Sequence, residues 1–261
     1  MTTTPTDSPT TSRIARVPWN PVVGVIFLVL VFFLSQGFAE IPLSIYVSLK
    51  HWSTAAANDW LSNSVPAQFA FILLVEVLCI GAIYLFVRKF YNKPLSLIGL
   101  KRPTWMDPLY GLAMVVPYFV LYGLTVGVAS YLLPSLNVEQ HQDIGFTSVH
   151  GTGPLVLTFI SLVVLPPLAE EIMVRGFLYS TLKKSMKTIW AVLLTSALFA
   201  IAHLGEGGSG GLLWIGALDT FVLSLALIYL REKTGSLWAS ITLHAIKNGI
   251  AYVSLFLAHS R

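Results

Sequence analysis

Hydrophobic residues run along this chain in long blocks, without the strict alternation of a half-buried strand. Seven blocks stand out, at about 21–39, 67–87, 108–133, 154–174, 188–204, 212–230 and 236–257. Each is close to the ~20 residues that carry a helix across the hydrocarbon of a bilayer. The pattern predicts an all-α fold: a polytopic transmembrane bundle of about seven spans. The first block follows Arg13 and Arg16 and contains Gly37-Phe38-Ala39, which loosely matches a signal-peptidase site. The apolar run continues to Leu49, so a retained anchor is expected, with a kink at Glu40 and Pro42. No internal repeat is visible.

Composition supports the membrane reading. Of 261 residues, 55% are hydrophobic and 11% charged, and the mean hydropathy is +0.75. A soluble domain carries about 25% charged residues. Three regions follow: a Thr/Ser/Pro-rich disordered cytoplasmic tail (1–18), N-terminal transmembrane helices (19–150), and a C-terminal transmembrane core (151–258) that holds most of the membrane-embedded polar residues. Cys79 is the only cysteine. It excludes an internal disulfide and a cysteine-based metal cluster, and its place in the second block suits a small buried hydrophobe.

Charge gives an orientation. The tail, the loop at 88–102, the turn at 183–187 and the turn at 231–233 alternate along the chain and hold 12 of the 16 Lys and Arg residues. The positive-inside rule then places the N-terminus in the cytoplasm and the C-terminus outside. The expected setting is the plasma membrane of a prokaryote. The net charge of +4 reflects this asymmetry. No basic patch with interleaved aromatics appears, so nucleic acid is not an expected partner.

Ionisable groups inside hydrocarbon are costly and mark function unless paired. The candidates are Glu76, Glu170, Glu171, Arg175, His203, Asp219, His244, Lys247 and Asn248. In PPLAEEIMVRG (166–176), Glu171 and Arg175 have the i,i+4 order favoured for a helical ion pair. Glu170 is turned about 100° away and has no local partner. Pro166 and Pro167 are expected to start this helix segment, with Glu170 near its positive end. FAIAH ends on His203, and HAIKN sets His244 and Asn248 on one face. Depth brings these together. With turns near 186 and 233, Glu170 and His203 lie level, about 25 Å from that side; His244 and Asn248 follow at about 16 and 22 Å. Asp219 and Lys247 are also level, and pairing them would relieve both charges and fix the rotation of the last span.

A carboxylate and an imidazole near one water can deprotonate it, and two further donors can hold an oxyanion. The motifs Glu170-Glu171-x-x-x-Arg175-Gly176, Phe199-x-x-x-His203, and Thr234-Gly235-Ser236-Leu237 leading to His244-x-x-x-Asn248 resemble the CPBP family of intramembrane proteases, which includes type II CaaX endopeptidases and Abi proteins. The resemblance covers about 155–257, and the LIGLKRP segment at 97–103 adds to it upstream. Val174 departs from a common Phe, and Ser224 from a common Gly. The resemblance implies an endopeptidase acting on a membrane-associated, prenylated or leader-type peptide. In that reading Glu170 and His203 activate water, His244 and Asn248 form the oxyanion site, and Glu171 holds Arg175. No H-E-x-x-H motif is present. A metal-free mechanism is favoured, with zinc on Glu170, His203 and His244 as the alternative.

Other readings stay open. Gly207-Gly208-Ser209-Gly210 fits a serine-protease GxSG, against a plain flexible loop that gates His203. A transporter or proton relay would use Glu76, Glu170 and His203. A non-catalytic scaffold or immunity protein would keep the frame and cleave nothing. The expected partners are membrane lipids and a peptide or protein substrate; oligomeric state is not readable.

Overall fold

The computed structural model describes residues 16–146 and 149–258, the side chains of residues 209 and 210 excepted. Every regular element among them is helical. Helix α1 (Pro21–Leu49) begins where Asn20 accepts a hydrogen bond from the amide of Val22 and Pro21 presets the first φ. It runs unbroken through Pro42, so the expected kink does not end it. A proline removes only one helical hydrogen bond, and a spanning helix tolerates that loss. A short helix that no apolar block announces, α2 (Thr54–Asn63), follows with Ser53 as its cap. Helix α3 (Val65–Tyr84) continues as a wide π turn, Leu85–Phe90. The chain then makes a 3-10 turn at Leu95–Ile98 and enters α4 (Met106–Leu132).

From Thr152 to Ser185 the backbone stays helical but changes pitch four times. Helix α5 (Thr152–Phe159), a π segment (Ile160–Val164), α6 (Leu165–Glu170), a second π segment (Glu171–Leu178) and α7 (Tyr179–Ser185) follow one another. The predicted span stops at 174 because Arg175 interrupts the apolar run. The helix passes it because the guanidinium is buried against Glu171. Pro166 and Pro167 do open α6, but from a preceding helical turn and not from a loop. Glu170 is therefore the last residue of α6, and the expected helix-dipole stabilisation at a free N-terminus does not apply to it. The turns fall where expected: α8 (Thr188–Ala202), α9 (Trp214–Thr234) and α10 (Trp238–Tyr252, extended by a π turn Val253–Leu257) complete the fold.

Among the described residues, six helices are long and apolar enough to cross a membrane, and they coincide with the first six predicted blocks. The seventh, α10, is a 15-residue helix that carries His244, Lys247 and Asn248. The chain is a polytopic integral membrane protein. Its two ends differ. At one end the N-terminus of α1 is tied to the end of α7: Lys184 donates to the carbonyl of Trp19 (2.7 Å), and Trp19 Nε1 donates to Thr181 (2.8 Å). Trp19 stacks on Phe177 with centroids 5.1 Å apart. The predicted tail lies outside the described residues up to 15; within the rest of it, Val17 is buried.

The LIGLKRP segment braces the same end. Gly99 adopts φ +89, a left-handed turn, and its carbonyl accepts from the amide of Leu237. Gly176 lets this segment in: a Cβ there would lie 3.1 Å from the carbonyl oxygen of Ile98 and 3.2 Å from Leu237. At the opposite end, residues 137–146 form a strap over the bundle. Gln140 donates to the carbonyl of Leu212 (3.0 Å), Gln142 to Glu206 (2.6 Å), and Gln68 of α3 to the carbonyl of Gly145 (2.7 Å).

Candidate active site

One cavity of about 530 Å³ opens beneath the strap, lined by Glu170, His203, Glu206, His244, Lys247 and Asn248 among others. Glu170 and Glu171 separate as their 100° offset predicts. Glu170 faces the cavity, and its Oε2 accepts no hydrogen bond from the described residues. Glu171 points into the bundle and is fully buried, as is Arg175. Arg175 Nη1 lies 2.9 Å from Glu171 Oε1, and the guanidinium sits 4.1 Å above the ring of Phe199. This pair satisfies the ion-pair expectation, and the cation on an aromatic face adds to it.

Glu171 also holds the last span. Its Oε1 lies 3.1 Å from His244 Nδ1. A carboxylate oxygen only accepts, so Nδ1 carries the proton and the other nitrogen, Nε2, faces the cavity. Nε2 is 3.8 Å from Glu170 Oε2. The sequence reading treats His244 as a ready donor. The geometry adds a condition: neutral His244 presents a lone pair at Nε2, and only the imidazolium donates there.

His203 is the C-cap of α8. Its Nδ1 lies 2.8 Å from the carbonyl of Phe199, four residues back. A carbonyl accepts, so Nδ1–H is the donor and the neutral ring keeps a lone pair at Nε2. Phe199 is the shared wall: its ring lies 4.5 Å from that of His203 and 6.2 Å from that of His244.

Asn248 lines the cavity and has a structural duty there. Pro166 has no N–H, so the carbonyl of Leu162 loses its helical partner. Asn248 Nδ2 donates to that carbonyl at 2.9 Å. One amide hydrogen is thereby used and one is left. The proline pair and the asparagine, read from the sequence as separate signals, form one contact.

Asp219 and Lys247 meet at 3.0 Å, as their levels predict. The hydroxyl of Tyr118 on α4 donates to the other oxygen of Asp219, a partner the sequence reading missed. Nothing marks one tyrosine among the aromatics of an apolar block. Glu206 was also missed as a lining residue, because GEGGSGG reads first as a loop. The side chain of Ser209 lies outside the described residues. Glu76 is partly buried on α3 and does not line the cavity.

Zinc can be tested against the donor set. Among the described residues no three His, Cys, Asp or Glu side chains are placed to hold a metal ion. The Nδ1 contacts of His244 and His203 leave Nε2 as the ring nitrogen open to a ligand, so these contacts do not themselves exclude a metal. The set Glu170, His203 and His244 as placed does not form a three-ligand site.

Residues 152–250 match the model of one protein family, Rce1-like, described as type II CAAX prenyl endopeptidase Rce1-like. The matched stretch runs from α5 into α10 and includes Glu170, Glu171, Arg175, His203, His244 and Asn248. The C-terminal region is thus similar to the family that its three motifs indicate. No curated protein and no solved structure matches the chain.

Proposed function

We propose, from the match over residues 152–250, that this protein is an intramembrane endopeptidase that hydrolyses a peptide bond with a water activated by Glu170 and His203. The observation that supports it best is the shared cavity, where a carboxylate whose Oε2 accepts no hydrogen bond from the described residues faces two imidazoles and an amide.

Glu170 and the Nε2 lone pair of His203 take the proton of a water in the cavity. The hydroxide attacks the carbonyl carbon of the substrate. The oxyanion that forms is held by Nε2–H of protonated His244 and by the second amide hydrogen of Asn248. Collapse of the tetrahedral intermediate breaks the C–N bond, and the proton stored on Glu170 or His203 passes to the leaving amine. Glu171 and Arg175 act through His244, as positioning residues.

Two experiments test this. Peptides from membranes of cells with wild-type protein are compared with those from cells with Glu170→Gln at equal abundance. A set of cleavage products should vanish in the variant; identical sets would refute the hydrolytic reading. Purified enzyme is then assayed after exhaustive chelation. Activity should persist within about twofold, and loss with recovery on added zinc would replace the carboxylate mechanism with a zinc one.

A further inference from the structure

The two ends of the bundle place the cavity on one side of the membrane. Its mouth is built from the strap, the α8–α9 connection and the C-terminal end of α10. His203, a member of the proposed site, caps α8 at that end, fifteen residues beyond Thr188. At 1.5 Å per residue this is about 22 Å from the other end of the same helix. The site therefore lies close to the strap face and far from the turns at 186 and 235.

Basic residues mark the other face. Arg16, Arg88, Lys89, Lys93, Lys101, Arg102, Lys183, Lys184, Lys187, Arg231 and Lys233 all lie at or beside the end where α1 starts and α7 stops. Direct contacts tie these segments together: Lys184 to Trp19, Leu237 to Gly99, and Trp238 Nε1 to the carbonyl of Lys101 (2.7 Å). At the strap end, the described loops contain a single basic residue, Lys50. Short loops rich in Lys and Arg stay in the cytoplasm.

Resting on the hydrolytic reading, we infer that substrates reach this site from the extracytoplasmic face, beneath the strap at residues 137–146. The substrate class is then an exposed extracytoplasmic segment of a leader peptide or membrane-anchored protein, not a lipid-modified tail in the cytosol. The strap bonds of Gln140 and Gln142 lie in the path, so the peptide must displace or thread past them.

The side is measured by labelling intact bacterial cells with a membrane-impermeant maleimide. Glu139→Cys places an exposed thiol on the strap, and Ser185→Cys places one on the basic turn. The wild-type chain, whose single Cys79 is buried, is the blank. Glu139→Cys should label in intact cells, and Ser185→Cys only after permeabilisation. The reverse pattern would overturn the inference. In a second arm, a quenched fluorescent peptide library is added outside right-side-out and inverted membrane vesicles. Cleavage that depends on Glu170 should be at least about tenfold faster in right-side-out vesicles. Faster cleavage in inverted vesicles would also overturn it. No Glu170-dependent cleavage in either preparation, with Glu139→Cys labelled from outside, would remove the substrate through failure of the hydrolytic reading and leave the sidedness of the cavity standing.

Discussion

Helices α4 and α9 pack against each other, yet only 6% of the apolar stretch of α4 is buried inside the protein, against 61% of that of α9. Helix α4 turns Val116, Leu124, Val128 and Leu112 outward, each more than half exposed. Helix α9 buries Thr220, Ser224 and Arg231 beside Leu223 and Leu227. In a soluble protein the more exposed helix would be the more polar one. Here the surroundings are hydrocarbon, so an outward leucine costs nothing, and helices associate through packing and polar contacts instead. The difference teaches where to look for chemistry. The ionised groups inside the bundle lie where protein replaces lipid: Glu171 with Arg175, Asp219 with Lys247, and Glu170 at the cavity.

If that contrast is right, removing one inner charge should hurt most. Glu171→Ala leaves Arg175 buried with no carboxylate and frees His244. It should destabilise the protein by about 3–5 kcal/mol, read as a large fall in the melting temperature in detergent. A change within 1 kcal/mol would mean that the inner pair is not what holds α10 to the second π segment.

The Asp219–Lys247 pair sharpens the same point with a smaller effect. Asp219→Ala and Lys247→Ala should each lower stability, and the double variant should lose less than their sum, with a coupling of about 0.5–3 kcal/mol. Additive losses would show that the two residues do not interact. Asn248→Ala should cost about 1–3 kcal/mol, because the carbonyl of Leu162 is left without a donor; Asn248→Asp should not restore it, since a carboxylate cannot donate. At the bottom of the scale, Val116→Ala and Leu124→Ala on α4 should shift stability by less than about 0.5 kcal/mol. Losses of 2 kcal/mol there would mean that α4 has a protein neighbour in the membrane, and the contrast with α9 would fall.

Much of this frame was legible in the sequence. Long apolar blocks set the helices, and turn positions set the levels, so Glu170, His203, His244 and Asn248 could be placed in one layer and Asp219 opposite Lys247. What stayed hidden depends on contacts between distant segments. Arg175 looked like the end of a span until Glu171 and Phe199 surrounded it. Helix α2 is too short and polar to register as an apolar block. The strap at 137–146 has no periodicity, and its place over the cavity comes from hydrogen bonds to Glu206, Leu212 and Gln68. The hydrogen bond from His244 to Glu171, which fixes the ring, joins residues 73 apart.

The central claim is that Glu170 does chemistry while Glu171 does architecture, although they are adjacent. Glu170 has a partly exposed side chain and faces the cavity, whereas Glu171 is fully buried beside Arg175. The most direct measurement is turnover and melting temperature of purified Glu170→Gln, with a peptide identified by the membrane comparison as substrate. Turnover should fall by roughly 10²–10⁴-fold, the range expected for loss of a general base, with the melting temperature within about two degrees of wild type, because no buried cation loses its partner. Turnover retained within tenfold in a folded Glu170→Gln protein would contradict the account.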